Sequence, residues 1–260
     1  MNTSKPLSFE GGFLFLYIAT VGFSLESANV VGYSEGSLRE GFKAAGSQFT
    51  PIAGDTIDLT SIVVTGYDKE EGTEEEVSVQ TLDENGSMLK QYFWYDISDG
   101  EEVYYGWLDG DSGDFIGEGE VVLYKGDALW VSSPSDMFKL QSSGQVDTKG
   151  FAVTLKIGFK LVANQTPVQL DLTAVKAAGY SEEDGTEEEV SVQTLDENGS
   201  MLKQYFWYDI SDGEDVYYGW LDGDSGDFIE EGEVMLQPGE AVWVNAPDTA
   251  FTLEIPGVNL

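Results

Sequence analysis

The sequence contains itself twice. Gly72 to Glu101 (GTEEEVSVQTLDENGSMLKQYFWYDISDGE) recurs without a change at Gly185 to Glu214, an offset of 185 − 72 = 113. The match continues: Val103 to Ile116 returns as Val216 to Ile229, and Gly119 to Val131 returns with substitutions as Gly232 to Val244. Upstream the copies drift, yet Gly41-Phe42-Lys43 still faces Gly158-Phe159-Lys160 and Asp58-Leu59-Thr60 faces Asp171-Leu172-Thr173. A unit of about 110 residues is the size of a domain and far longer than a solenoid repeat. The chain is therefore expected to fold twice in the same way. Residues 29–145 form the first copy and 146–260 the second, divided at the polar stretch Gln141 to Lys149, which reads as a linker or, alternatively, as a tight turn in a shared sheet.

Within each copy the apolar runs are short and rich in Val, Tyr, Phe and Trp, and they are punctuated by Gly and Pro, which favours strands and turns. Strands are expected over Val77–Leu82, Met88–Ile97, Val103–Leu108, Glu120–Tyr124, Ala128–Ser132 and Met137–Gln141, with a type I′ hairpin turn at Asn85-Gly86. No segment carries an apolar stripe at helical period. The expected fold class is all-β: two tandem copies of an antiparallel β-sandwich or barrel-like domain, with little helix.

Residues 1–28 carry the apolar stretch Gly12 to Val21, too short for a comfortable membrane span and of the right length for a signal-peptide core. They are read as a signal peptide, weighed against a buried N-terminal strand, and the signal reading places the protein outside the cell or on its surface. No later stretch is apolar enough for a span in the mature chain.

The second copy opens with Gly158-Phe159-Lys160-Leu161-Val162-Ala163-Asn164, and the copies close with Gly126-Asp127-Ala128-Leu129-Trp130-Val131 and Gly239-Glu240-Ala241-Val242-Trp243-Val244. In these motifs the chain resembles uncharacterised exported bacterial repeat proteins whose units run from GFxLVANxTP to GEALWV. The resemblance covers nearly all of the mature chain. It implies export and a tandem β-rich fold, and it assigns no activity. The first copy departs from the opening motif at Ala44-Ala45-Gly46-Ser47-Gln48.

Composition removes whole classes of chemistry. The chain has no Cys and no His, which excludes thiol nucleophiles, Cys-ligated metal and any Ser–His or Cys–His unit. Acidic residues number 48 against 12 basic ones, so the net charge is 12 − 48 = −36. With one Arg and scattered Lys, the chain lacks the basic surface that nucleic acid demands. Catalysis would rest on carboxylates alone, and two near-identical copies suggest two equal surfaces where a catalytic cleft is usually single. An enzyme is not expected.

Two constellations stand out as candidate sites. Asp109-Gly110-Asp111-Ser112-Gly113-Asp114 recurs at Asp222 to Asp227, and alternating carboxylates with Gly let a loop wrap a hard cation. Asp109, Asp111, Asp114, Asp222, Asp224 and Asp227 are thus candidate calcium ligands, weighed against the plainer reading as solvated turns. Aromatic residues cluster as Tyr92-Phe93-Trp94-Tyr95 with Trp107, and again as Tyr205 to Tyr208 with Trp220. Of these, Tyr92, Trp94, Trp107, Tyr205, Trp207 and Trp220 are candidate carbohydrate contacts, weighed against a role in the core.

The expected function is a secreted or cell-surface structural or interaction protein, an envelope, matrix or adhesion module acting through two equal sites. One alternative is a carbohydrate-binding protein. Another is a self-assembling fibre or surface-layer subunit, in which an unpaired Asn29–Tyr33 segment adds to a neighbour's sheet edge. The corresponding partners are a glycan, another surface protein or further copies of the chain.

Overall fold

The computed structural model describes residues 31–47, 56–66, 77–83, 85–98, 103–146, 148–179, 190–196, 198–212, 215–246 and 250–258. The proposed signal peptide, 1–28, and the acidic runs Glu74–Glu76 and Glu187–Glu189 lie outside the described residues.

The fold is all-β. The first copy contributes β1 (Val31–Ser37), β2 (Gly41–Gly46), β3 (Thr56–Asp58), β4 (Val63–Thr65), β5 (Ser78–Leu82), β6 (Met88–Ser98), β7 (Val103–Asp109), β8 (Val122–Tyr124), β9 (Ala128–Ser133) and β10 (Lys139–Gln145). The second contributes β11 (Phe151–Leu155), β12 (Gly158–Ala163), β13 (Leu170–Asp171), β14 (Lys176–Ala178), β15 (Ser191–Leu195), β16 (Met201–Asp212), β17 (Asp215–Asp222), β18 (Met235–Leu236), β19 (Ala241–Ala246) and β20 (Phe251–Ile255). The ladders are antiparallel and fall into two sets of identical order. The sets are β2-β9-β5-β6-β7, β1-β10-β4 and β3-β8, then β12-β19-β15-β16-β17, β11-β20-β14 and β13-β18.

Alternation along the strands builds each core. On β6, Tyr92 and Trp94 turn inward; on β9, Leu129 and Val131 do so. Against that inner face of the five-stranded sheet pack Leu59, Ile62, Val64 and Phe138, all in one buried cluster, and the second copy repeats the arrangement. A short 3-10 turn, Leu59–Ser61, enters this layer because the Asp58 carboxylate accepts the Thr60 amide at 2.8 Å; Asp171 does the same for Leu172–Ala174.

Three expectations are corrected. Gln141–Gln145 is not linker: it belongs to β10, paired on one side with β1 and on the other with β4, and so its polar side chains decorate a central strand. Val31–Tyr33 is not an unpaired arm, because it pairs with Ser143–Gln145 of its own chain. The hairpin at Asn85-Gly86 is not type I′. Only Gly86 has a positive φ, +76°, and the Gly86 amide donates to Asp83 O while the Asp83 amide donates to Ser87 O. Asp83 Oδ1 accepts from both the Asn85 and Ser87 amides, which stabilises a wider loop ending in a left-handed Gly.

The two copies meet through the outer faces of β2/β9 and β12/β19. Ala44, Ala128, Leu161, Ala163 and Ala241 form a third buried cluster, flanked by Trp130 and Trp243. The Gly46 amide donates to Gly239 O and the Ala163 amide to Gly126 O, both at 3.0 Å. Positions 46 and 163 are equivalent, as are 126 and 239, so the contact has the reciprocal form of a two-fold dimer interface inside one chain. The approach is so close that a Cβ on Gly46 would lie 2.1 Å from that of Ala163.

Candidate functional site

The six aromatic residues singled out as carbohydrate contacts are core residues. Tyr92, Trp94, Trp107, Tyr205, Trp207 and Trp220 are all buried, none more than 4% exposed. Trp94 meets Trp107 edge-on at 5.2 Å, and Trp207 meets Trp220 in the same way. The Trp107 indole donates to Ile62 O at 2.7 Å and Trp220 to Val175 O at 2.8 Å, which ties the two layers of each copy together. Burial pushes the Tyr92 and Tyr205 phenols up from their ordinary pKa. These rings are therefore sealed from any sugar, and the carbohydrate reading cannot rest on them.

The rings that do reach solvent sit on the opposite face and at the β7 and β17 edges. Tyr95 lies across from Gly106, and the Phe115 ring covers that glycine, 5.8 Å from Tyr95 and edge-on to it. Tyr208, Gly219 and Phe228 repeat the triad at the same distance. On the other face, at the sheet edge beyond Trp107 and Trp220, Tyr105 and Tyr218 are 63% and 54% exposed, and each leans on a buried Trp. Met88-Leu89 and Met201-Leu202 are exposed to the same degree in both copies. Phe115 and Phe228 are the residues that the sequence reading missed. The glycine within Tyr-Tyr-Gly-Trp was the available signal, since Gly inside a strand marks a place where another group comes close.

The acidic loops are turns stapled to their own backbone. Asp109 Oδ1 accepts from the Asp111 and Ser112 amides, and Oδ2 takes a 2.6 Å ion pair from Lys90. Asp222 repeats this with Asp224, Ser225 and Lys203. The lysine hydrogen bond, helped by the backbone amides, holds the Asp109 and Asp222 carboxyls below the usual carboxylate range. Asp111, Asp114, Asp224 and Asp227 are not drawn into a cage with them: among the described residues no group of three carboxylates converges in metal-binding geometry.

A second aromatic array spans the junction of the copies. Phe42 stacks on Trp130, Trp130 lies 6.0 Å from Trp243, and Trp243 meets Phe159 edge-on. Each hairpin tip closes over the other copy, Gly86 against Trp243 and Phe159, Gly199 against Trp130 and Phe42. The Trp of each closing motif thus serves the junction.

No protein-family model matches the chain, and neither the curated proteins nor the solved structures yield a significant match. No helix among the described residues is long and apolar enough to cross a membrane.

Proposed function

We propose that the protein is a non-enzymatic structural or interaction module of the cell surface or its surroundings, an envelope, matrix or adhesion component that offers the same surface twice. The observation that carries this reading is a set of large apolar side chains left exposed at the same positions in both copies. Phe115 and Phe228, Met88 and Met201, and Leu89 and Leu202 match in exposure to within one per cent, although they lie in different copies. Large side chains kept exposed at matching positions of two near-identical copies offer the same contacts twice. Two equal surfaces on one rigid chain raise avidity for a repetitive target with no new contact.

A polymeric glycan fits this surface as a specific target. Tyr105 and Tyr218 offer exposed ring faces for stacking on sugar rings. The test is retention of the chain on insoluble peptidoglycan, chitin and cellulose. Tyr105→Ala or Tyr218→Ala alone should weaken retention about tenfold or more by loss of avidity, and the double variant should abolish it. Retention that is unchanged in the double variant removes these patches from the function. Retention on no glycan, together with concentration-dependent oligomers, favours the assembly reading over the glycan one.

A further inference from the structure

The two copies fill the same place differently. The ladders fix the correspondence: Gly36 stands opposite Leu140 as Val153 stands opposite Leu253, and Ser34 opposite Ser142 as Phe151 opposite Ile255. On the neighbouring sheet, Ala45 opposite Leu129 corresponds to Val162 opposite Val242. Four larger apolar residues of the second copy, Phe151, Val153, Val162 and Ile255, are thus Ser34, Gly36, Ala45 and Ser142 in the first.

The consequence is a cavity that reaches the core of the first copy. In the second copy Val153, Val162 and Ile255 belong to the core with Phe151 packed against it, and the void that Val162, Leu253 and Ile255 line is about 10 Å³. In the first copy the corresponding space is a cavity of about 350 Å³, and a Cβ placed on Gly36 meets nothing within 4 Å. Across it stands the turn at Pro238-Gly239 of the second copy. At the pseudo-symmetric position Val153 and Phe151 press against Gly126, and the hollow there, about 490 Å³, is displaced towards Leu82, Tyr124, Thr154 and Leu161 and lacks the contact with the inner core residues that Leu38, Ile62, Leu129 and Leu140 give the first. Asp127 and Lys160 form an ion pair of 2.9 Å at the wall of that second hollow, as their counterparts Glu240 and Lys43 stand in the wall of the first.

We propose that this cavity binds a small amphipathic molecule with an aliphatic body and an uncharged or cationic head. Its volume falls at the lower end of small-molecule sites, about 300–1,000 Å³. Leu38, Ile62, Leu129 and Leu140 supply an apolar lining, and Ser34 and Ser142 add hydroxyls. The charged groups of the lining are Asp196 and Glu240 against Lys43, and the chain as a whole carries −36, so the field opposes an anionic head. The space opens to solvent at Gly36, which is itself exposed, and so admits a ligand from outside. The side chains that would fill it already stand 153 − 36 = 117 residues away in the same protein, and the first copy does without them.

Titration calorimetry of the full chain with hexylamine, 1-hexanol and hexanoate at matched ionic strength tests the proposal. Hexylamine and hexanol should bind saturably, with hexanoate weaker by about tenfold or more. Gly36→Val should weaken hexylamine by about tenfold, and Ser34→Phe/Gly36→Val/Ala45→Val should abolish binding while raising the Tm. If the triple variant does not fold, Gly36→Val, whose side chain enters open space, carries the test. Absence of saturable binding by the amine and the alcohol, or filled variants that bind as the natural chain does, overturns the proposal. Hexanoate binding as tightly as hexylamine overturns its charge preference.

Discussion

Asp109 and Asp222 each hold a loop amide pair with one oxygen and a lysine with the other, and this fixes how the protein responds to pH. Their folded pKa values lie below the unfolded one, so their contribution is present above about pH 4 and is lost as pH falls through the lowered value. Lys90 and Lys203 are shifted up by the same bonds, and their contribution is lost as pH rises past about 10.4. The buried phenols of Tyr92 and Tyr205 act in the same alkaline direction, from about pH 10 upward. Melting Asp109→Asn/Asp222→Asn beside the natural chain between about pH 6 and pH 2.5 should give a shallower acid fall in the variant. Parallel curves would show that these loops contribute nothing to acid stability.

Among the elements, the two hairpins at 83–87 and 196–200 do more than reverse the chain. Gly86 and Gly199 have φ of +76° and +77°, and a Cβ there would lie within 3 Å of Trp243 and Trp130 respectively. Gly86→Ala should therefore cost about 1–2 kcal/mol for the left-handed backbone alone, with a further cost for displacing Trp243. Chemical denaturation checks this, and Asn85→Ala serves as the control. A Gly86→Ala loss no larger than that of the control would contradict the clasp. The hairpin was legible in the sequence because Asn-Gly follows an alternating run, but its turn type was not. That depended on the Asp83 carboxylate capping two amides, a contact that composition does not rank. The duplication made the strand order of one copy a guide to the other. The polar Gln141–Gln145 hid a strand because both its neighbours in the sheet, β1 and β4, lie far away in sequence. Likewise, alternation showed that Tyr92 and Trp94 share a face, while which face met water depended on the layer formed by Leu59, Val64 and Phe138.

For the whole molecule, the reciprocal junction turns two similar copies into one body with defined spacing between its duplicated patches. The junction uses small residues so that backbones can approach, and it places a tryptophan from each closing motif beside its equivalent. Beside the junction the copies differ in side-chain volume, at Ser34, Gly36, Ala45 and Ser142 against Phe151, Val153, Val162 and Ile255, and there the cavity of the first copy reaches its core. None of this was legible from either copy alone, since it arises from the contact between them. The most direct measurement is nuclear Overhauser contact in the full chain between the Ala163 methyl group and the Gly46 α protons, together with contacts between the Trp130 and Trp243 indoles. The account predicts both sets to be strong. Their absence, with each copy tumbling at its own rate, would contradict the joined architecture on which the bivalent surface and the inter-copy cavity depend.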